Sequence, residues 1–198
     1  NMTSEHFDQL LIAFHERQPF RPFTVELVGG HQFEVDHPRA MVIRNGVDVT
    51  RFAPPTGRER AALGVPSEVP VVGTVGRLDP VKDHGTLLAA FRLVLQAFPA
   101  AVLVIIGDGE TRSELEAYVN FYGLDRNVRF LGERYDVASL LPGVDVFALS
   151  SVNEGLSLAL LEAMACARPV VTTDVGAAAS VVGNGQAGLL VPPKDPEA

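Results

Sequence analysis

Two glutamates with seven residues between them, Glu154 and Glu162, are the side chains in this chain best suited to chemistry. Glu154 stands just before a predicted helix and Glu162 lies inside it. The small residues after Glu154 leave backbone N–H groups open, and a helix N-terminus carries about half a positive charge. Paired carboxylates alone could perform acid–base catalysis. Beside open amides they favour binding of a nucleotide diphosphate.

The helix that carries Glu162 has clear start and stop signals. Ser157 is predicted to cap it and Pro169 to end it. Eight helical residues rise about 12 Å, so the two carboxylates could reach opposite ends of a nucleotide sugar. Glu162 could accept hydrogen bonds from ribose hydroxyls, but a solvated helix face explains it equally well. Helical spacing predicts one buried face, formed by Leu158, Leu161, Met164 and Ala165.

Two cations follow a predicted strand that ends near Val75. Gly76 gives a turn, and Arg77 and Lys82 come before the next predicted helix. A diphosphate entering this loop would meet a planar fork from Arg77 and a mobile point charge from Lys82. Taken alone, the pair is more typical of structural or solvated surface cations.

Glycine-rich loops elsewhere are weaker signals. The spacing from Gly73 to Gly76 lacks the third glycine of a dinucleotide-binding fingerprint, and the acidic Asp108 comes later than that pattern requires. The loop from Gly107 to Gly109 would allow close backbone approach to a ligand, although alone it is an ordinary tight turn.

Composition excludes several classes of function. The 198 residues suffice for one large domain with an appendage, and the net charge of −8 disfavours binding to nucleic acid. No apolar run reaches the roughly 18 residues of a membrane span, and no signal peptide is recognisable. A cytoplasmic location is therefore expected. The lone Cys166 allows neither an internal disulfide nor a cysteine-based metal cluster, and we expect it to be a small buried residue.

The first 41 residues are predicted to form a separate segment. A helix is indicated by apolar residues at helical spacing, namely Phe7, Leu10, Leu11 and Phe14. Two alternating runs joined by Gly29 and Gly30 then predict a β-hairpin. His31 and His37 lack the partners of a metal site, so no metal is predicted there.

From about Met41 onward, apolar strands alternate with amphipathic helices, which predicts an α/β fold with a parallel sheet. The predicted strands are Val71–Val75, Ala101–Ile106, Val128–Leu131, Val144–Leu149 and Pro169–Thr172. The predicted helices are His84–Ala97, Glu110–Tyr122, Val137–Leu141 and Ser157–Ala167. Right-handed crossovers place all strand C-terminal ends at one edge, so the loops described above should meet there.

Taken in order, these motifs resemble the donor-binding domain of retaining GT-B glycosyltransferases of family four, known as glycosyl transferases group 1. The resemblance runs from about Val42 to the end of the chain. It is carried by Asn45-Gly-Val-Asp with Phe52, Gly76-Arg-Leu with Lys82, Gly107-Asp-Gly, Phe130-Leu-Gly, Glu154-Gly with Glu162-Ala-Met-Ala, Pro169-Val-Val and Gly188-Leu-Leu-Val-Pro-Pro.

The resemblance implies a fold and a set of roles. The fold is a Rossmann-like parallel sheet with helices on both faces, one half of a GT-B fold. Arg77 and Lys82 hold the donor's phosphates, Glu162 binds the ribose, and Glu154 lies against the transferred sugar, where it positions it or stabilises a cationic transition state. Two backbone segments are implied as well: the amides of Gly155, Leu156 and Ser157 complete the diphosphate cradle, and the loop Glu133, Arg134 and Tyr135 borders the base.

The resemblance also implies partners. The donor is a UDP-, GDP- or ADP-sugar, the acceptor is not identified, and neither a metal nor another cofactor is expected because cations and helix dipoles neutralise the leaving diphosphate. Residues 42–198 would be a nucleotide-sugar-binding domain that is truncated at its C-terminus, and an acceptor domain in cis or in trans would be needed. Ala177 and Ser180 depart from the family pattern.

Several alternatives stay open at this level. The chain could be a donor domain that is inactive alone, or a non-catalytic nucleotide-sugar-binding or assembly module. An epimerase or phosphorylase of the same architecture is a third alternative, although no acid–base constellation or pyridoxal-type lysine site supports it. A fusion, a rearranged gene or an incomplete reading frame could each explain residues 1–41. A full-length enzyme could attach peripherally to a membrane.

Overall fold

The computed structural model describes residues 23–26, 32–35, 46–54, 59–183 and 187–198. The chain divides into two compact units, residues 1–44 and 45–198. In the first unit, β1 (Phe23–Glu26) pairs antiparallel with β2 (Gln32–Val35). This pairing agrees with the predicted hairpin. The predicted N-terminal helix and the histidines His31 and His37 lie outside the described residues.

The second unit contains a six-stranded sheet in the order β5-β4-β3-β6-β7-β8, and every neighbouring pair is parallel. β8 is not among the predicted strands, because three residues are too few to show an alternating pattern. The strands are β3 (Val71–Val75), β4 (Val102–Ile106), β5 (Val128–Gly132), β6 (Val146–Leu149), β7 (Val170–Thr173) and β8 (Leu189–Val191).

Helices connect these strands. The four predicted helices are present, His84–Ala97 with the predicted limits and the other three slightly shorter, whereas the four-residue helices α1 and α6 were not predicted. The helices are α1 (Glu59–Ala62), α2 (His84–Ala97), α3 (Arg112–Phe121), α4 (Val137–Leu140), α5 (Leu158–Ala165) and α6 (Ala178–Val181), and a 3-10 turn at Leu141–Gly143 follows α4.

Both faces of the sheet are covered, as predicted. All five residues of β4 are buried. Alternate side chains point to opposite faces: Ile105 belongs to a cluster with Leu88 of α2, whereas Val104 belongs to another with Leu140 of α4. A strand that is apolar on both faces needs cover on each, which is the layered arrangement of a Rossmann-like fold.

The strand order reverses between β3 and β6, and this position selects the ligand-binding edge. The chain builds outward from β3 to β4 and β5, then returns to place β6 on the other side of β3. Open α/β sheets bind ligands in the crevice that such a reversal leaves at the strand C-terminal ends. Arg77 and Lys82 follow β3 there, and Glu154 follows β6.

Gly107, directly after β4, has a structural role. Its φ is +140°, and a Cβ atom built on it would lie 1.9 Å from the carbonyl oxygen of Gly76. The amide of Gly76 donates to the carbonyl of Ile106 at 3.0 Å, and that of Leu78 donates to the carbonyl of Asp108 at 2.9 Å. The close approach predicted for this loop is therefore an approach to the neighbouring loop.

His84, the first residue of α2, is a buried titratable group beside the predicted phosphate-binding lysine. It is 3% exposed, and its Nδ1 atom has no hydrogen-bond partner among the described residues. Burial lowers the pKa of His84 to about 4, and the positive charge of Lys82 acts in the same direction. The imidazole is therefore neutral at neutral pH.

This burial predicts a specific loss of stability in acid. Between about pH 6.5 and pH 4 the unfolded chain binds a proton at His84 that the folded chain refuses, so the free energy of unfolding falls as pH falls, by up to about 3 kcal/mol. His84→Leu and His84→Gln remove this titration and should flatten the slope. Urea unfolding followed by circular dichroism across this range measures it, and parallel slopes for the wild type and both variants would contradict the prediction.

Candidate functional site

An ion pair joins the loop after β3 to the loop after β6. The ammonium group of Lys82 contacts the carboxylate of Glu154, and the two side chains are only 20% and 19% exposed. Ser151 Oγ donates to the same carboxylate oxygen, Oε2, at 3.1 Å. The predicted phosphate-binding cation and the predicted sugar-side carboxylate are therefore partners of each other.

Three strand ends fix the backbone around this pair. Ser150 Oγ donates to the carbonyl oxygen of Lys82 at 2.8 Å, which ties the β6 loop to the β3 loop. Thr173 Oγ1, at the end of β7, donates to the carbonyl oxygen of Ser151 at 2.6 Å. All three hydroxyl-bearing residues are buried. Their hydrogen bonds hold the ends of β3, β6 and β7 in one arrangement.

The peptide between Glu154 and Gly155 is covered by the turn after β7. Gly176 has a φ of +56°, and a Cβ atom built on it would lie 1.7 Å from the carbonyl oxygen of Glu154. The amide of Ala177 donates to the carbonyl of Gly155 at 2.9 Å. A glycine is required here because any side chain would collide with the backbone that carries Glu154.

Ser157 caps α5, as predicted. Its backbone is extended, with φ −72° and ψ 117°, and its side chain accepts a hydrogen bond from the amide of Leu160 at 3.4 Å. The helix itself begins at Leu158. The stretch from Glu154 to Ser157 is irregular, so the separation of the two glutamates is not the rise of eight helical residues.

The predicted buried face of α5 is correct only in part: Met164 and Ala165 pack against the core cluster but are only partly buried. Leu160 and Ala163 are the buried residues of the helix, and Leu158 is exposed. Cys166, just beyond the helix, packs in the same cluster and is fully buried, as expected. The helix α5 has apolar residues of its own on almost every side. Its sequence therefore contains no polar stripe that would indicate which face packs against the sheet.

Glu162 is half-buried in the second turn of α5. Burial raises the pKa of its carboxyl group, and the positive charge of Arg51 acts against that increase. Burial favours the neutral acid because it removes water from the charged form. The charge of Arg51 therefore favours the ionised form of Glu162.

Arg77 lies at the edge of this arrangement. Its side chain is 79% exposed, and its Nε donates to Asp79 Oδ2 at 2.8 Å. Asp79 Oδ1 also accepts from the amide of Lys82 at 3.1 Å. Burial alone would raise the pKa of Asp79, but the hydrogen bonds from Arg77 and Lys82 hold it below its usual value. Asp79 thus links the two predicted phosphate-binding residues.

The loop after β5, predicted to border the base, is exposed at Glu133, Arg134 and Tyr135. Arg134 forms two hydrogen bonds to Asp136, at 2.8 and 2.6 Å, and the Tyr135 side chain is 82% exposed. Arg51 Nη2 donates to the carbonyl oxygen of Tyr135 at 3.1 Å. The loop is therefore held by a residue 84 positions earlier in the chain.

Sequence reasoning missed two residues of this site. Ser151 precedes Glu154 by three positions, a spacing typical of local hydrogen-bonded turns, so it could have been proposed as a partner of that carboxylate. Arg51 stands beside Phe52 in the predicted turn, and only its cationic character pointed to a role with an anionic ligand.

Neither a metal cluster nor a membrane helix is found in the described part of the chain. Within it, no three histidine, cysteine or acidic side chains converge as metal ligands. None of its helices combines the length and apolar character needed to span a bilayer. Metal independence and a cytoplasmic location remain predictions.

Residues 56–198 match the family described as Glycosyl transferases group 1, and this chain belongs to that family. It is similar to the D-inositol 3-phosphate glycosyltransferase of Corynebacterium urealyticum, with 36% identity over 173 residues that cover 81% of this chain and 41% of that protein. It is also similar to the GDP-mannose-dependent monoacylated alpha-(1-6)-phosphatidylinositol monomannoside mannosyltransferase of Corynebacterium glutamicum, with 35% identity, covering 74% of this chain and 41% of that protein.

A solved structure gives the same result for the fold. The crystal structure of Anabaena HepE in complex with UDP and glucose superposes with a TM-score of 0.72 and 31% sequence identity, covering 79% of this chain and 44% of that chain. The predicted family and the predicted half of a GT-B fold are therefore confirmed. The chain spans about two fifths of the length of the curated relatives described above.

The close approach of Gly176 to the Glu154 carbonyl predicts that adding one methyl group at position 176 destabilises the fold. Gly176→Ala should lower the free energy of unfolding by about 2 kcal/mol, because a side chain is strained at this φ and the opposing backbone must shift. Urea unfolding measures this change. Gly46→Ala is the matched control, since a Cβ there meets nothing within 4 Å. Equal effects of the two substitutions would refute the prediction.

Proposed function

We propose that residues 45–198 form the donor-binding domain of a glycosyltransferase, which binds a nucleoside-diphosphate sugar at the edge of the sheet between β3 and β6. The observation that carries the proposal is the close pairing of Lys82 with Glu154 at that edge, beside the N-terminus of α5. A cation and a carboxylate in contact there provide one group for a diphosphate and one for the sugar attached to it.

The phosphate-binding part of the site would combine side chains with backbone. Lys82 and Arg77 supply positive charge to the diphosphate, and the backbone of Gly155, Leu156 and Ser157 leads into the N-terminus of α5, where the helix dipole favours an anion. With this positive charge supplied by the protein, the leaving diphosphate would be stabilised without a metal ion.

The sugar-side and nucleoside-side roles would fall to the two glutamates. Glu154 would lie against the transferred sugar, where its charge stabilises a cationic transition state, and Glu162 would accept hydrogen bonds from the ribose hydroxyls. The loop at Glu133, Arg134 and Tyr135 would border the base.

In retaining transfer, the bond from the sugar C1 to the diphosphate oxygen breaks and its electron pair leaves with the diphosphate. The acceptor oxygen then bonds to C1, and its proton passes to the leaving phosphate.

The similar proteins narrow the donor to two main candidates. One relative is described as GDP-mannose-dependent, and HepE was crystallised with UDP and glucose. Donors with uracil or guanine are therefore the first to test, with adenine as a third. The acceptor and the complete reaction are also part of this proposal, because the acceptor-binding half would have to be supplied in cis or in trans.

Calorimetric titration of the 198-residue chain with UDP, GDP and ADP tests donor binding directly. At least one nucleotide should bind, and Lys82→Ala should weaken that binding about tenfold or more, because it removes the least exposed cation from the site. Circular dichroism checks that the variant is folded. If a folded wild-type chain binds none of the three nucleotides, the proposal fails. Release of free sugar from a bound donor would exclude the non-catalytic alternative.

The ion pair predicts an unusual gain in affinity. Lys82 is already occupied by Glu154, so a diphosphate must compete with that carboxylate for the same cation. Glu154→Gln should therefore tighten binding of the sugar-free nucleotide about fivefold. Glu114→Gln, on the exposed side of α3, removes the same charge elsewhere and should change the affinity little. An affinity equal to or weaker than that of the wild type would contradict the competition.

A further inference from the structure

The turn that precedes the matched family segment is firmly attached to the second unit. Both the amide and the hydroxyl of Thr50 donate to Asp48 Oδ1, at 2.9 and 2.6 Å, and the amide of Phe52 donates to the Asp48 carbonyl at 2.9 Å. Phe52 is buried in the cluster that includes Leu160 of α5. Arg51 lies between the turn held by Asp48 and the buried ring of Phe52. The backbone of Arg51 is therefore held in a fixed position.

The side chain of Arg51 reaches toward two predicted subsites. Its Nη2 donates to the carbonyl oxygen of Tyr135 in the predicted base-bordering loop, and its charge acts on the half-buried Glu162 of α5. Among the described residues, its Nε and Nη1 have no hydrogen-bond acceptor, and the guanidinium carbon lies 5.7 Å from the centroid of the Phe52 ring. Arg51 thus joins the turn to the predicted base loop by a hydrogen bond and acts on Glu162 through its charge.

We infer that Arg51 is a further residue of the donor site and acts at its nucleoside end, where its hydrogen bond positions the Tyr135 loop and its charge acts on Glu162. This inference rests on the proposed function. It assigns to Arg51 a role distinct from that of Arg77 and Lys82, which lie at the diphosphate end. Arg51 also lies outside residues 56–198, so the family match alone does not point to it.

The charge of Arg51 would favour the proposed ribose contact, because a carboxylate accepts hydrogen bonds more strongly than a neutral acid. Burial pushes Glu162 toward the neutral form, and Arg51 is the charged group that opposes it among the described residues. The other titratable neighbour is Cys166, whose thiol is kept neutral because burial raises its pKa. Without Arg51, Glu162 would take up its proton at a higher pH.

The test titrates the 198-residue chain with UDP-glucose and with GDP-mannose from about pH 5 to pH 8, a range in which the diphosphate groups of both donors stay ionised. The variants are Arg51→Ala, Arg51→Lys, Glu162→Gln and the double variant of Arg51→Ala with Glu162→Gln. Arg92→Ala is the matched control, because Arg92 stacks on Tyr122 of the α3 surface and contacts none of the predicted site residues.

Two results are expected. Arg51→Ala should weaken sugar-nucleotide binding about fivefold at pH 8, through loss of the contact with the Tyr135 loop. It should also raise the pH below which affinity falls, whereas Arg51→Lys, which keeps the charge, should leave that pH near the wild-type value. In Glu162→Gln this pH dependence should be absent, and Arg51→Ala should then cost less than it does alone.

The outcomes separate the two proposals. A wild-type chain that binds neither sugar nucleotide overturns the proposed function and this inference together. If the wild type binds and Arg51→Ala matches Arg92→Ala in affinity and pH profile, only the role of Arg51 is overturned. Strictly additive effects of Arg51→Ala and Glu162→Gln would likewise overturn it, because residues that act together should not be additive.

Discussion

The register between β3 and β6 is the constraint on which the rest of this domain depends. Val72 pairs with Val146 and Gly73 with Phe147, so the two strands end side by side. Lys82 and Glu154, which are 72 positions apart in the chain, meet only because these strands are neighbours. A shift of register would move one loop relative to the other and separate the two charges.

The ion pair at this edge stabilises two buried charges and also affects how the proposed site would bind a diphosphate. The charged side chains of Lys82 and Glu154 are each about four-fifths buried, and buried charges are stable only when each has a partner. Here the two side chains are each other's partner. Ser151 gives the carboxylate a second partner. In the proposed complex, a diphosphate that replaced Glu154 as the partner of Lys82 would leave that carboxylate held by the Ser151 hydroxyl. The resting contact thus maintains both groups in place for the proposed donor.

Glycine in this domain mainly permits backbone to approach backbone. Gly107 lets the loop after β4 contact the loop after β3, and Gly176 lets the turn after β7 contact the Glu154 carbonyl. Only the Gly107 loop was expected, from sequence, to allow close backbone approach to a ligand. In the structure, Gly107 and Gly176 allow the loops at the strand ends to pack against one another. This packing fixes the positions of the polar side chains between the loops.

The sequence by itself determined the class of fold and the chemical character of the site. The alternation of apolar strands and amphipathic helices predicted the parallel sheet, and the placement of Arg77, Lys82, Glu154 and Glu162 after strand ends or in the adjoining helix indicated an anionic ligand. These properties are local: they follow from residue type and spacing along a few turns of chain. The short elements β8, α1 and α6 were not predicted.

Only the tertiary structure decided which of these groups are partners. The burial of Leu160 rather than Leu158, the pairing of Lys82 with Glu154, and the reach of Arg51 to Tyr135 all depend on contacts between distant segments. No spacing rule encodes them, because the sheet order and register set the distances. The sequence therefore specified which charges the site contains, and the packing of six parallel strands determined where each charge acts.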